Sequence, residues 1–184
     1  MCNTCERCYL SIANRRVPGG GVGLTPTGRP TIIFVGDTPT ITDYKTQTLF
    51  NGRSTKIISQ FIDDYSLTAW TIKSTLIRCV CAEPNEYYAD TCYPNLIADI
   101  QKYNPVIIVA IGQFVYQFLK EEKYLSMARV VNKPTRFNNA ILIPIYSPAY
   151  IMRNKCYSEY VTSFTLISNI FAELCKEYRW FVSD

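Results

Sequence analysis

Apolar and polar positions along this chain follow two periods in turn. The run Thr31-Ile32-Ile33-Phe34-Val35 is continuous, β-branched and apolar, and it stops at Gly36, which predicts a strand buried on both faces. The next apolar set, Ile57, Ile58, Phe61 and Ile62, has helical spacing, with Ser54 placed to cap its start. Residues 69–77 predict a second strand. Leu96 to Tyr103 reads as a helix that Asn104-Pro105 ends, and Val106 to Ile111 is a third strand. Phe114, Val115, Phe118 and Leu119 share one helical face after Gly112, and Ala140 to Ile145 predicts a fourth strand closed by Ser147-Pro148. Phe164, Ile167, Phe171 and Leu174 line one side of a terminal helix over 160–178.

Strands that alternate with helices predict an α/β fold of three layers, α/β/α, around a mostly parallel four-stranded sheet, with ligands at the carboxyl ends of the strands. The loops 36–43, 74–79 and 147–153 follow such ends. The 184 residues suit one domain over 1–184, in which residues 1–23 form an N-terminal segment that needs an anchor.

Hydrophobic residues at 48% and charged residues at 18% exclude a disordered chain. A net charge of +4 suits a polyanionic partner without identifying one. No apolar run is long enough to span a bilayer and Met1 to Glu6 lacks an apolar leader, so a monomer in the cytoplasm, away from membranes, is expected. Histidine is absent, which excludes every mechanism that needs an imidazole.

The eight cysteines of a cytoplasmic chain point to metal ligands or buried thiols before disulfides. Cys5-Glu6-Arg7-Cys8 is a C-x-x-C pair, and Cys79 and Cys92 supply a second pair, with Cys2 and Cys81 as substitutes for Cys5 and Cys79. Four thiolates suit tetrahedral zinc and a [4Fe-4S] cluster equally on ligand count. Cys156 and Cys175 read as ordinary buried thiols.

Taken in order, the motifs resemble those of the family 4 uracil-DNA glycosylases. That family carries a C-x-x-C pair, a G-E-A-P-G loop, P-F-x-G-R-[SA]-G, T-N-x-x-K-C, a further cysteine and H-P-[SA]-Y-L-L-R-N-P. Here the stretches read Cys5-x-x-Cys8, Gly36-Asp37-Thr38-Pro39-Thr40, Leu49-Phe50-Asn51-Gly52-Arg53-Ser54, Ser74-Thr75-Leu76-Ile77-Arg78-Cys79, Cys92 and Ser147-Pro148-Ala149-Tyr150-Ile151-Met152-Arg153-Asn154.

The resemblance implies the uracil-DNA glycosylase fold, a [4Fe-4S] cluster in preference to zinc with Cys5, Cys8, Cys79 and Cys92 as ligands, and excision of uracil or a modified pyrimidine from DNA. Such an enzyme needs a stacking surface, donors for the leaving base and a group near the sugar. Phe50 takes the stacking position. Gly36, Thr38, Pro39, Thr40 and Ser74 take the base-binding positions.

The three chemical positions depart from the family. Asp37 replaces a glutamate, Thr75 an asparagine and Ser147 a histidine, so reduced activity is expected. Arg53, Ser54, Pro148, Tyr150 and Arg153 would contact DNA, uracil-containing or single-stranded, with Lys155, Lys133 and Arg136 near them. The alternatives are a catalytically lapsed DNA-binding or replication-accessory protein that meets replication or repair partners, and a zinc-stabilised interaction module. The tyrosine- and isoleucine-rich composition and small size fit a bacteriophage source, which would place the protein in the host cytoplasm.

Overall fold

A computed structural model describes residues 5–13, 15–21 and 29–181. Six strands form one sheet: β1 (Gly20–Gly21), β2 (Ile32–Gly36), β3 (Thr71–Thr75), β4 (Ile107–Ile111), β5 (Thr135–Phe137) and β6 (Ala140–Ile145). Their order is β1-β3-β2-β4-β6-β5. The four inner strands, β3, β2, β4 and β6, run parallel, and the short β1 and β5 add antiparallel edges. The parallel four are the strands expected from the sequence. The edges escape a pattern-based reading because one is two glycines and the other three residues long, too short to show a period of two.

The described residues form seven α-helices: α1 (Ile41–Thr46), α2 (Lys56–Asp64), α3 (Glu86–Tyr103), α4 (Gln113–Lys120), α5 (Met127–Val130), α6 (Pro148–Asn154) and α7 (Tyr157–Phe181). Alternation along the strands sorts the core into two halves. Ile32, Phe34, Val109, Ile111, Ile143 and Ile145 pack against α2 and α7 through Ile58, Ile62, Tyr160, Phe164 and Ile167. Ile33, Val35, Ile72, Ile108, Ala110 and Leu142 pack against α3 and α4 through Leu96, Val115 and Leu119. Phe34 and Phe164 stack at 5.7 Å, and full burial of a ring such as Phe34 stabilises by about 1.5–3 kcal/mol. These are the three layers expected, and among the described residues no helix is long and apolar enough to cross a membrane.

Several boundaries differ from expectation. Helix α3 begins ten residues before Leu96, where the Asn85 side chain accepts from Tyr88 N at 3.1 Å, and it runs through Pro94. Ser54 is not a helix cap. It sits in the turn before Thr55, whose αR backbone enters α2 without a capping hydrogen bond from the side chain. The stretch 147–153 is no loop but the start of α6: Ser147 is its N-cap and accepts from Tyr150 N at 3.3 Å, and Pro148 occupies the first turn, where a missing N–H costs nothing.

Candidate functional site

The register aligns the strand ends. Gly36 pairs with Thr75, Val35 with Ala110 and Ile111 with Ile145, so Gly36, Thr75, Gly112 and Ser147 reach one edge of the sheet. Gly112, at φ 90°, takes a backbone conformation that side-chain-bearing residues rarely adopt, and a Cβ there would lie 3.2 Å from that of Ser147.

Gly36, Phe50 and Thr75 meet at this edge. A Cβ on Gly36 would lie 3.1 Å from Phe50 Cε1 and 3.7 Å from Thr75 Cγ2, so the glycine leaves the space that the ring fills. Phe50 itself has φ 61°, a left-handed conformation that costs an L-residue about 1–2 kcal/mol. Its surroundings hold it there: Phe50 O accepts from Ser59 Oγ at 2.9 Å, and Lys73 Nζ donates to the same Ser59 hydroxyl at 2.7 Å. Burial lowers the Lys73 pKa, against the pull of Asp63 and Asp43.

Thr75 is 1% exposed, and its Oγ1 has no hydrogen-bond partner. Most buried hydroxyls find one, because an unmet donor or acceptor costs about 1–3 kcal/mol. Asp37 follows Gly36 at the end of the neighbouring strand, β2. Solvent reaches the residue, yet protein packs around its carboxylate and the resulting desolvation raises its pKa, opposed by the backbone N–H groups of Thr38 and of Asp37 itself. Thr38 N donates to Asp37 Oδ1 at 2.7 Å, which turns the carboxylate toward its own loop.

Three of the expected base-binding side chains are engaged elsewhere. Ser74 precedes Thr75 in a strand, so its side chain projects from the opposite face, where its hydroxyl donates to Asp99 Oδ2 at 3.1 Å. It does not line the face that holds Phe50. Thr40 is the N-cap of α1, with its hydroxyl accepting from Asp43 N at 3.1 Å. The Thr38 hydroxyl donates to Cys79 O at 2.8 Å and accepts from Cys81 N at 3.2 Å, and Pro39 is buried.

Asp43 was not anticipated. It is 1% exposed and accepts from three backbone N–H groups: Oδ2 from Thr40 at 2.8 Å, and Oδ1 from Asn51 at 2.6 Å and Gly52 at 3.1 Å. The spacing Thr40-x-x-Asp43 is the signature of a capping box and was available in the sequence. Tyr146 and Tyr150 were likewise not seen as a pair. Their rings stack at 4.4 Å and 13°, with Tyr150 exposed. Arg53, Arg153, Lys155, Lys133 and Arg136 are exposed, Ser54 is half-buried and Pro148 is buried.

The two cysteine pairs lie within electrostatic reach of one another. Cys79 is buried, and burial together with the charges of Cys92, Cys8 and Cys5 pushes its pKa to about 11, with Arg16 opposing. Cys92 is raised by burial and by Cys8 and Cys5, while a hydrogen bond from the Arg78 backbone N–H and the Arg78 charge act the other way. The N-terminal segment is laced alongside: Val17 N donates to Arg78 O at 2.9 Å and Val80 N to Arg15 O at 3.0 Å, around an antiparallel bridge of Arg16 with Cys79. Four thiols and two guanidinium groups in electrostatic reach suit an anionic four-thiolate centre by donor chemistry. Among the described residues, however, no three thiol or carboxylate groups are drawn to coordinating positions. Cys2 lies outside the described residues, and Cys81 is half-buried.

Beneath the segment, Arg78 is 2% exposed and ion-paired with Asp99, and Gly19 lies so close that a Cβ would meet both side chains.

The chain is similar in sequence to known uracil-DNA glycosylases. The Type-4 uracil-DNA glycosylase of Thermotoga maritima is 26% identical over 158 residues, which cover 82% of this chain and 79% of that one. The Type-4 uracil-DNA glycosylase of Archaeoglobus fulgidus is 25% identical over 185 residues, covering 94% and 88%. A family model described as the uracil DNA glycosylase superfamily matches residues 22–174, which span the whole parallel sheet and both halves of the core, and the chain belongs to that superfamily.

Proposed function

We propose that the protein excises uracil or a modified pyrimidine from DNA by hydrolysing the N-glycosidic bond, at a rate below that of relatives with a full set of catalytic side chains. The observation that carries this reading is the buried Thr75 hydroxyl without a partner, on a residue whose Cγ2 borders Gly36 together with the Phe50 ring at the carboxyl edge of the sheet. An unmet polar group next to an aromatic surface is what a flat, hydrogen-bonding base completes. In this reading Phe50 stacks the base, Thr75 bonds its edge, Gly36 allows the close approach, and Asp37 stabilises charge on the sugar or orients water. Ser147 stands where a donor to the leaving base is needed. Arg53, Ser54, Tyr150 and Arg153 hold the phosphate backbone, with Pro148 setting the turn.

Cys5, Cys8, Cys79 and Cys92 would hold a [4Fe-4S] cluster, which would contribute a fixed anchor for the N-terminal segment, while Arg16 and Arg78 offset its negative charge. A brown protein with a broad visible absorption band distinguishes iron-sulfur from zinc. The activity is tested by incubating purified protein with uracil-containing single- and double-stranded DNA and cutting abasic sites with alkali. Absence of strand scission at enzyme excess removes the enzymatic reading.

A second reading, a lapsed glycosylase that binds DNA, is favoured by two observations. The Asp37 carboxylate bonds its own loop and the Ser147 hydroxyl caps α6, so both are engaged locally. Phe50 is also only 4% exposed, so admission of a base requires the surrounding loops to yield. Salt-sensitive DNA binding without base release supports this second reading.

A further inference from the structure

We infer that Asp43 is the positioning residue of the aromatic surface: its carboxylate holds the 50–52 turn in the shape that presses the Phe50 ring against Gly36. The inference deepens the function proposed above and rests on its assignment of Phe50 as the stacking surface. A phenylalanine at φ 61° needs its neighbours to over-determine the conformation. The residues immediately after it supply that constraint. Asn51 N and Gly52 N both point at Asp43 Oδ1, at 2.6 and 3.1 Å, and the second oxygen is fixed by Thr40 N at 2.8 Å. One carboxylate therefore ties the N-terminus of α1 to the turn that carries the ring. A Cβ on Gly52 would lie 2.6 Å from Thr40 Oγ1, so the turn is seated directly on that helix start. Ser59 bonds Phe50 O from the other side at 2.9 Å, which leaves the peptide planes flanking the ring held at both ends.

A helix cap alone would not explain the geometry. Thr40 and the Asp43 backbone N–H already form the local half of the capping box. The two contacts to residues eight and nine positions further along serve the turn and nothing in α1.

The test is Asp43→Ala, read in three ways. In the wild type the Phe50 ring should show nuclear Overhauser contacts to the Gly36 α-protons, and in Asp43→Ala these should vanish while the strand amides keep their dispersion. The affinity for free uracil should fall about tenfold, within the range that one base–aromatic stack carries. In a Phe50→Ala background the same Asp43→Ala change should alter affinity by less than about twofold, because the ring it positions is gone. Persistence of the ring contacts in folded Asp43→Ala, or an equal loss of affinity in both backgrounds, overturns the inference. Should Asp43→Ala not fold, hydrogen exchange on the wild type decides. Asn51 and Gly52 amides that exchange as slowly as the inner-strand amides support the carboxylate's hold, and rapid exchange refutes it. If the wild type neither binds uracil nor releases it, the proposed function fails, while the ring contacts and the exchange rates still judge Asp43.

Discussion

Thr75→Val removes one oxygen and replaces it with a methyl group of nearly the same shape. At an ordinary buried threonine this change destabilises, because the hydroxyl's partner is left without its bond. Thr75 Oγ1 has no such partner and the residue is 1% exposed, so the wild type carries the desolvation cost of an unmet hydroxyl and the variant does not. The expected change is a gain of about 1–3 kcal/mol in unfolding free energy. For a chain of this size each kcal/mol moves the melting midpoint by about 2–4 °C, so the midpoint should rise. Urea unfolding with an unchanged slope measures the gain directly. The same variant should lose uracil affinity, since the group that bonds the base edge is absent. A stability loss above about 1 kcal/mol would refute the reasoning, because it would mean that the hydroxyl already has a bond in the free protein.

Gly36→Ala inserts a methyl 3.1 Å from Phe50 Cε1, and the ring must give way. We expect a stability change within about 3 kcal/mol, the usual cost of overpacking, and a clear loss of base release, read by urea melts and alkali cleavage of uracil DNA. Ser147→His restores a ring donor at the mouth of the site and should raise single-turnover excision by up to about 10²–10³, at the cost of the α6 cap. Asp37→Asn tests the raised carboxylate pKa. A folded-state pKa above the unfolded one means that the native state binds the proton more tightly, so the wild type loses stability as pH rises from the ordinary carboxylate value through the raised one. Urea midpoints across acid to neutral pH should show that decline in the wild type and its absence in the variant.

The parallel strands were legible because buried strands read as β-branched runs that end at glycine, as at Ile32–Gly36, or at a polar cap, as at Ile145 before Ser147. The meeting of Gly36, Phe50 and Thr75 followed from motif order combined with that topology. What escaped were relations that do not repeat along the chain. Ser74 and Thr75 looked like one polar loop, although a strand that extends to Thr75 must send adjacent side chains to opposite faces. Helix α6 was hidden because Pro148 reads as a stop, whereas after a serine N-cap it begins a helix. The role of Asp43 is non-local and depends on where the chain returns at Asn51 and Gly52, which no periodicity encodes.

Hydrogen bonds connect the thiol region to the carboxyl edge of the sheet. Pairing of β2 with β3 ends at Gly36 and Thr75, yet the two chains stay joined beyond it through Leu76 N to Gly36 O at 2.8 Å and Ile77 N to Asp37 O at 2.9 Å. Two residues later the Thr38 hydroxyl bonds Cys79 O, and Cys79 in turn is bridged to Arg16 of the N-terminal segment. The Asp37 main chain is thus tied to a ladder that ends at the main chain of Cys79, whose thiol burial and neighbouring charge disfavour as a free thiolate. The ladder uses none of the side chains of Asp37, Thr75 and Ser147, so substitutions there change the chemistry proposed for the site without removing a rung.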